Sequence, residues 1–206
     1  MASRTRPLVV RFPAVKGLPP VLLSALLVLC APGRVFAQRG TAPALPPNYD
    51  HWQEFLDDTL RSTLWWVEVG GAGAIDQVSD QPPEWTGGSG YAKRNASAFV
   101  KLFSSEAIDS AVGAMMHQRV SYDRCTCTGG GPRLGHAISR VFVGVDNRDG
   151  HLAPNVPQWI AIIASSALAM AWMPPSYKAH DVLVGSGIAF GATAGIKVLK
   201  EFIHVD

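Results

Sequence analysis

The stretch DVLVGSGIAFGATAGIKVLKEF, residues 181–202, decides the fold. It carries no charge over 182–196, and Gly187, Gly191 and Gly195 recur every fourth position with Ala189, Ala192 and Ala194 among them. A four-residue period is helical, so one stripe of this helix is nearly bare of side chains, and such stripes let two helix backbones approach closely. The expected partner is the helix bearing Ser165, Ser166, Ala167, Ala169 and Ala171, or the glycine-rich segment 70–73. A dinucleotide-binding glycine turn is the competing reading of Gly185, Gly187 and Gly191. It fails on context, because that fold needs a βαβ unit with an acidic residue about 20 positions further on.

Working outward, residues 157–173 are apolar on nearly every face and are separated from 181–203 by Pro174-Pro175 and a short connection, which makes the two segments an antiparallel hairpin. At about 1.5 Å per residue the uncharged runs cover about 22 and 25 Å, short of a hydrocarbon core of about 30 Å. Trp159, Trp172 and Tyr177 near the ends, with Lys197 and Lys200 beyond, have the placement of interfacial anchors. Segments apolar all round are hard to cover in a small chain, which tips the balance from a soluble bundle towards a membrane.

Earlier in the chain, Trp52, Phe55, Leu56 and Leu60 fall at helical spacing, and the pattern runs from Asp50 through Leu64, Trp65 and Trp66 to Val78. Gln81-Pro82-Pro83 ends it, and 84–91 reads as a turn-rich loop with aromatics. A second helical region over 93–118 is expected to break near Ser104-Ser105-Glu106. A short helix over 134–143 then leads to a turn at Asp146-Asn147-Arg148-Asp149-Gly150, with a hairpin strand over 141–145 as the alternative. The fold class is therefore mainly α: a small helical bundle over residues 50–206, a single domain ending in a glycine-rich hairpin, with minor or no β.

The first 37 residues read as a cleaved export signal. Arg4, Arg6, Arg11 and Lys16 precede a short Leu/Val/Ala run over 21–29, and Val35-Phe36-Ala37 closes it with residues suited to cleavage after Ala37. A lipidation reading at Cys30 is poor, since bulky Leu29 precedes it. Residues 38–49 form an extended, Pro-rich lead-in. The signal holds five of the 18 basic residues and none of the 16 acidic ones, leaving 13 basic against 16 acidic, so the pI near 8.5 belongs to the precursor. No nucleic-acid partner is expected.

Several constellations invite functional readings. Cys125 and Cys127 are disulfide candidates; zinc sites usually space cysteines by two to four residues, so metal binding with His117 or His136 is off-pattern and no metal is expected. Arg133 and His136, followed by Ser139-Arg140 and His151, are the low-ranking catalytic candidates, resembling pieces of a membrane acid phosphatase but without its spacing. Glu84, Trp85, Tyr91 and Arg94 are the densest polar-aromatic group. As a binding lip they offer Arg94 to an anion; as structure, Arg94 pairs with Glu84 while the rings staple the loop, and the glycine content of the loop favours the second. Asn95-Ala96-Ser97 matches a glycosylation acceptor. No cofactor motif is present.

Pro83-Glu84-Trp85, Gly88, Gly90-Tyr91, Arg94, Tyr122, Arg133 with Ala137, Trp172 ahead of Pro174 and Glu201-Phe202 together resemble a group of exported bacterial cell-envelope proteins. The sequence departs from that group over 117–121 and in having Cys125 and Cys127. The resemblance implies an envelope location, periplasmic or membrane, and no activity. The expectation is an exported, non-enzymatic helical protein partnered by a membrane, a second copy or another envelope protein, with a soluble periplasmic hydrolase or ligand-binding protein around Arg133 and His136 as the alternative.

Overall fold

A computed structural model describes residues 50–203, and the segments expected to be an export signal, 1–37, and a lead-in, 38–49, lie outside them. Six α-helices and a small sheet occupy the described residues: α1 (His51–Asp58), α2 (Thr63–Val78), α3 (Gly87–Met116), β1 (Gln118–Arg119), α4 (Gly130–Ser139), β2 (Val143–Asp146), β3 (Leu152–Pro154), α5 (Val156–Leu168) and α6 (Ala179–Phe202).

The 30-residue α3 is the spine, with α2 and α5 its main neighbours. It is longer and less broken than the sequence suggested. Ser104 Oγ donates to the Val100 carbonyl at 2.6 Å, so its hydroxyl is satisfied inside the helix and no second cap forms. At the other end the helix starts within the expected loop: Gly90 lies directly against the Trp85 carbonyl, where a Cβ would come within 2.1 Å of the oxygen. His117 closes α3 in the left-handed region at φ 55°.

The first expected helix is instead two. Asp50 caps α1 through Oδ1, which accepts from Trp52 N at 2.8 Å, and Thr59 ends it by directing both its N–H and its hydroxyl to the Phe55 carbonyl. Ser62 then caps α2, accepting from Trp65 N. The core between α1, α2 and α3 is aromatic: Phe55 meets Phe103 edge-on at 5.4 Å, and Trp65 meets Phe99 edge-on at 5.5 Å. Such pairs add about 0.5–1.5 kcal/mol each beyond their buried area.

The hairpin alternative for 141–145 holds. β2 pairs antiparallel with both β1 and β3, Gln118 opposite Asp146 and Gly144 opposite Ala153, and the turn closes where Gly150 N donates to the Asp146 carbonyl. The short helix lies earlier than expected, at 130–139, which frees Val143 for the strand.

α5 and α6 form the expected hairpin, Pro157 opening α5 and Asp181 accepting from Lys178 N at 2.7 Å at the start of α6. The glycine stripe, however, does not seat one on the other. A Cβ at Gly187, Gly191 or Gly195 would meet nothing within 4 Å, and all three positions are exposed. The buried line on α6 is the neighbouring one, Val182, Ser186 and Glu201, with Lys197 reaching across to the Gln158 Oε1 of α5 at 2.8 Å. Of the second proposed partner segment, Gly70 and Gly71 are open, and only Gly73 is pressed against a neighbour, Asn95 of α3.

Candidate functional site

Two buried polar clamps and one long uncovered helix are the features with chemical content. The first clamp is Arg94, 1% exposed in the wall of α3. Its Nε donates to the Gln81 carbonyl at 3.0 Å, Nη1 to Gln77 Oε1 at 2.8 Å, and Nη2 to Asp80 Oδ1 at 2.7 Å and to the Pro82 carbonyl at 3.1 Å. The planar guanidinium thus ties together the chain leaving α2, across the cis Gln81–Pro82 bond. Arg94 is thus engaged within the protein, and its acidic partner is Asp80 rather than the expected Glu84. Glu84 is exposed and is held below its ordinary value by a hydrogen bond from Ser176. Trp85 is half-buried and Tyr91 is 53% exposed. The four residues do not converge on a pocket.

The second clamp is centred on Glu201 in the last turn of α6, its side chain fully buried. Oε2 accepts from Tyr122 OH at 2.6 Å and from Cys125 N at 3.0 Å, while Oε1 accepts from Arg133 Nε at 2.8 Å. Arg133 Nη2 also donates to the Glu201 carbonyl, and its guanidinium lies 4.8 Å from the Phe202 ring centroid. The Tyr122 hydroxyl is pushed up from its ordinary value by burial, with the bond to Glu201 adding to the rise. A buried carboxylate is costly unless paired and hydrogen-bonded, and here its partners come from the 122–125 segment and from α4.

The catalytic candidates belong to this clamp. Arg133 is engaged by Glu201; the His136 ring nitrogen Nε2 lies 2.9 Å from the Asp123 carbonyl and its ring packs edge-on against Tyr122 at 5.9 Å. Their partners are a buried carboxylate and a backbone oxygen, the surroundings of groups that hold the end of α6 in place. Cys125 and Cys127 are joined in a disulfide beside them. Sequence reasoning singled out Arg133, His136 and the cysteines but missed Glu201 as the carboxylate that binds Arg133 and the Cys125 N–H.

Other groups resolve in the same way. Trp172 Nε1 donates to Ser97 Oγ at 2.9 Å, and Trp159 Nε1 to the Val141 carbonyl at 3.2 Å, so both indoles have partners inside the protein. In the glycosylation triplet Ser97 is buried, and the half-buried Asn95 Nδ2 donates to the Tyr91 carbonyl at 3.0 Å within α3. Asp146, Asp149 and His151 each bring a ligand atom within 4.8 Å of the others, but Arg148 grips both oxygens of Asp146, at 3.0 and 2.7 Å, and its hydrogen bonds hold that carboxyl well below the usual range. Asp146, the buried carboxyl of the three, is thus already paired with a cation. Asp109 of α3 is buried with Oδ1 lacking a hydrogen-bond partner, and burial pushes it up to about 7. Nearby Glu106 is pushed up to about 8, by burial first and then by Asp109.

The uncovered feature is α6. It is long and apolar enough to cross a membrane, yet only 11% of its most apolar 18-residue window is buried. Leu183 is 72% and Ile188 58% exposed, flanking the open glycines, and Ile163 and Met170 continue the apolar surface onto α5 and the single 3-10 turn after it. No family model, no curated protein and no solved structure matches this chain.

Proposed function

We propose that the protein is an exported component of the bacterial cell envelope, held to a membrane through the hairpin 157–203, with a structural or interaction role rather than a catalytic one. The observation that carries this reading is the exposure of α6. A core helix of a water-soluble protein with this composition is mostly buried, whereas α6 leaves its leucine, isoleucine and glycine face without a protein neighbour among the described residues. Lipid is the environment in which that face costs nothing.

Two further features support it. The 125–127 disulfide suits an oxidising compartment outside the cytoplasm, as does the export signal read over 1–37. The residues that carry the resemblance to exported envelope proteins include Arg94, Arg133, Ala137, Trp172 and Glu201, the same side chains that build the clamps and their packing. The hydrolase alternative draws no support from Arg133 and His136, both of which are engaged structurally.

Membrane fractions of expressing cells, washed with alkaline carbonate, test the reading: the protein is expected in the pellet, starting at Gln38 by N-terminal sequencing. Release into the supernatant would end the spanning version, and an intact residue 1 in the cytosol would end export.

A further inference from the structure

Apart from the clamps, the fold contains an open cleft of about 250 Å³ where the end of α1, the start of α2, the 121–124 segment and the last turns of α6 meet. Three basic side chains line it, Arg61, Arg124 and Lys200, against two acidic ones, Asp57 and Asp58. We infer that this cleft binds a phosphate group.

The cations are positioned without being used up. Asp57 Oδ1 accepts from Arg61 at 2.7 Å and Asp58 Oδ1 from Lys200 at 3.4 Å, while Arg124 is fixed by two backbone oxygens, those of Lys200 at 2.8 Å and Ile203 at 3.1 Å. A guanidinium has five N–H donors and an ammonium three, so each keeps donors for a ligand. The balance is one positive charge, which suits an anion and opposes a metal cation. The 16-residue α2 starts at this cleft: Ser62 and Thr63 are in its wall, and no acidic residue in the first turn of α2 offsets the positive end of the helix. Oxygens of a tetrahedral phosphate can meet the guanidinium forks and the ammonium together.

That phosphate has two sources, a free phosphate or phosphomonoester and the headgroup of an anionic lipid. Lys200 lies just beyond the uncharged run 182–196, at the level where an inserted α6 would reach the headgroups. The cleft itself does not depend on the membrane reading, so the two are tested apart.

The full chain, purified in mild detergent, is titrated with inorganic phosphate at constant ionic strength in a calorimeter. Saturable binding is expected, weakened about tenfold or more in Arg61→Gln and in Lys200→Ala. Arg61 is exposed, so Arg61→Gln keeps the fold and decides the matter if Lys200→Ala unfolds. No saturable heat up to about 10 mM phosphate, or equal affinity in wild type and Arg61→Gln, overturns the inference. In a second arm the chain is floated with phosphatidylglycerol or phosphatidylcholine vesicles. A preference for phosphatidylglycerol that Arg61→Gln abolishes supports the cleft and assigns the lipid source. Saturable phosphate binding with equal flotation supports the cleft and assigns the free ligand.

Discussion

Two sets of glycines look alike in the sequence and do opposite things in the fold. At the α2–α3 junction, Gly73 and Gly90 sit where added side-chain atoms would strike Asn95 and the Trp85 carbonyl; along α6, Gly187, Gly191 and Gly195 face open space. The difference lies in what the flanking residues need. Around Gly90 the chain must turn back beneath α3 so that Arg94 can reach Gln77, Asp80 and two carbonyls, and only a residue without Cβ permits that approach. On α6 the polar residues Ser186, Lys197 and Glu201 turn one face inward, and the glycines are left on the other. Spacing alone says that a backbone could be approached; it does not say whether anything in the same chain does so.

Substitutions can break this contrast. Gly90→Ala forces a Cβ onto an immobile backbone oxygen and should cost about 3 kcal/mol or more, read as a large fall in thermal midpoint or failure to fold; a near-wild-type midpoint would mean the loop does not lie where described. Gly73→Ala meets mainly the end of the Asn95 side chain, which can swing away, so about 1–2 kcal/mol is expected.

The buried carboxyls predict a pH dependence that sharpens the contrast from the polar side. Asp109 and Glu106 rise from ordinary values of 3.8 and 4.5 to about 7 and about 8. Each stays protonated in the fold at pH values where the unfolded chain has already ionised. Their stabilising contribution is therefore complete below about pH 4 and is lost as pH rises through 7 to 8. Asp109→Asn keeps the shape without the charge and should raise the midpoint at pH 8 by roughly 3–6 °C while flattening its decline from pH 5 to 8. An unchanged pH profile would place the charge elsewhere. Smallest of all, Gly191→Leu should move the stability of the detergent-solubilised chain by no more than about 0.5 kcal/mol, because the added side chain points into space. A loss of several kcal/mol would show that the stripe has a protein neighbour after all.

Much of the architecture was legible because it is local. The helix start at Asp50, the turn at 146–150, the proline stop after α2 and the apolar hairpin are each written in a few adjacent residues. The break at Thr59 and the continuity of α3 at Ser104 were not, since both depend on whether a hydroxyl bonds within its own helix, and short-range pattern permits either outcome. The face of α6 that packs was misread for another reason. Packing was assigned to the smallest side chains, whereas the inward face carries the residues with polar partners to meet. Glu201 could have been noticed as a lone acid after a long uncharged run, but its partners lie far off in sequence and no spacing rule joins them.

The Glu201 clamp has a consequence for how the chain is made. Its bonds to Arg133, Cys125 and Tyr122 join residues 68, 76 and 79 positions apart. Nothing in the 122–133 stretch can acquire its anchoring carboxylate until the final turn of α6 has been synthesised and delivered. For a polypeptide made from its N-terminus, that delay leaves the 122–133 stretch without its carboxylate until α6 arrives to lock it.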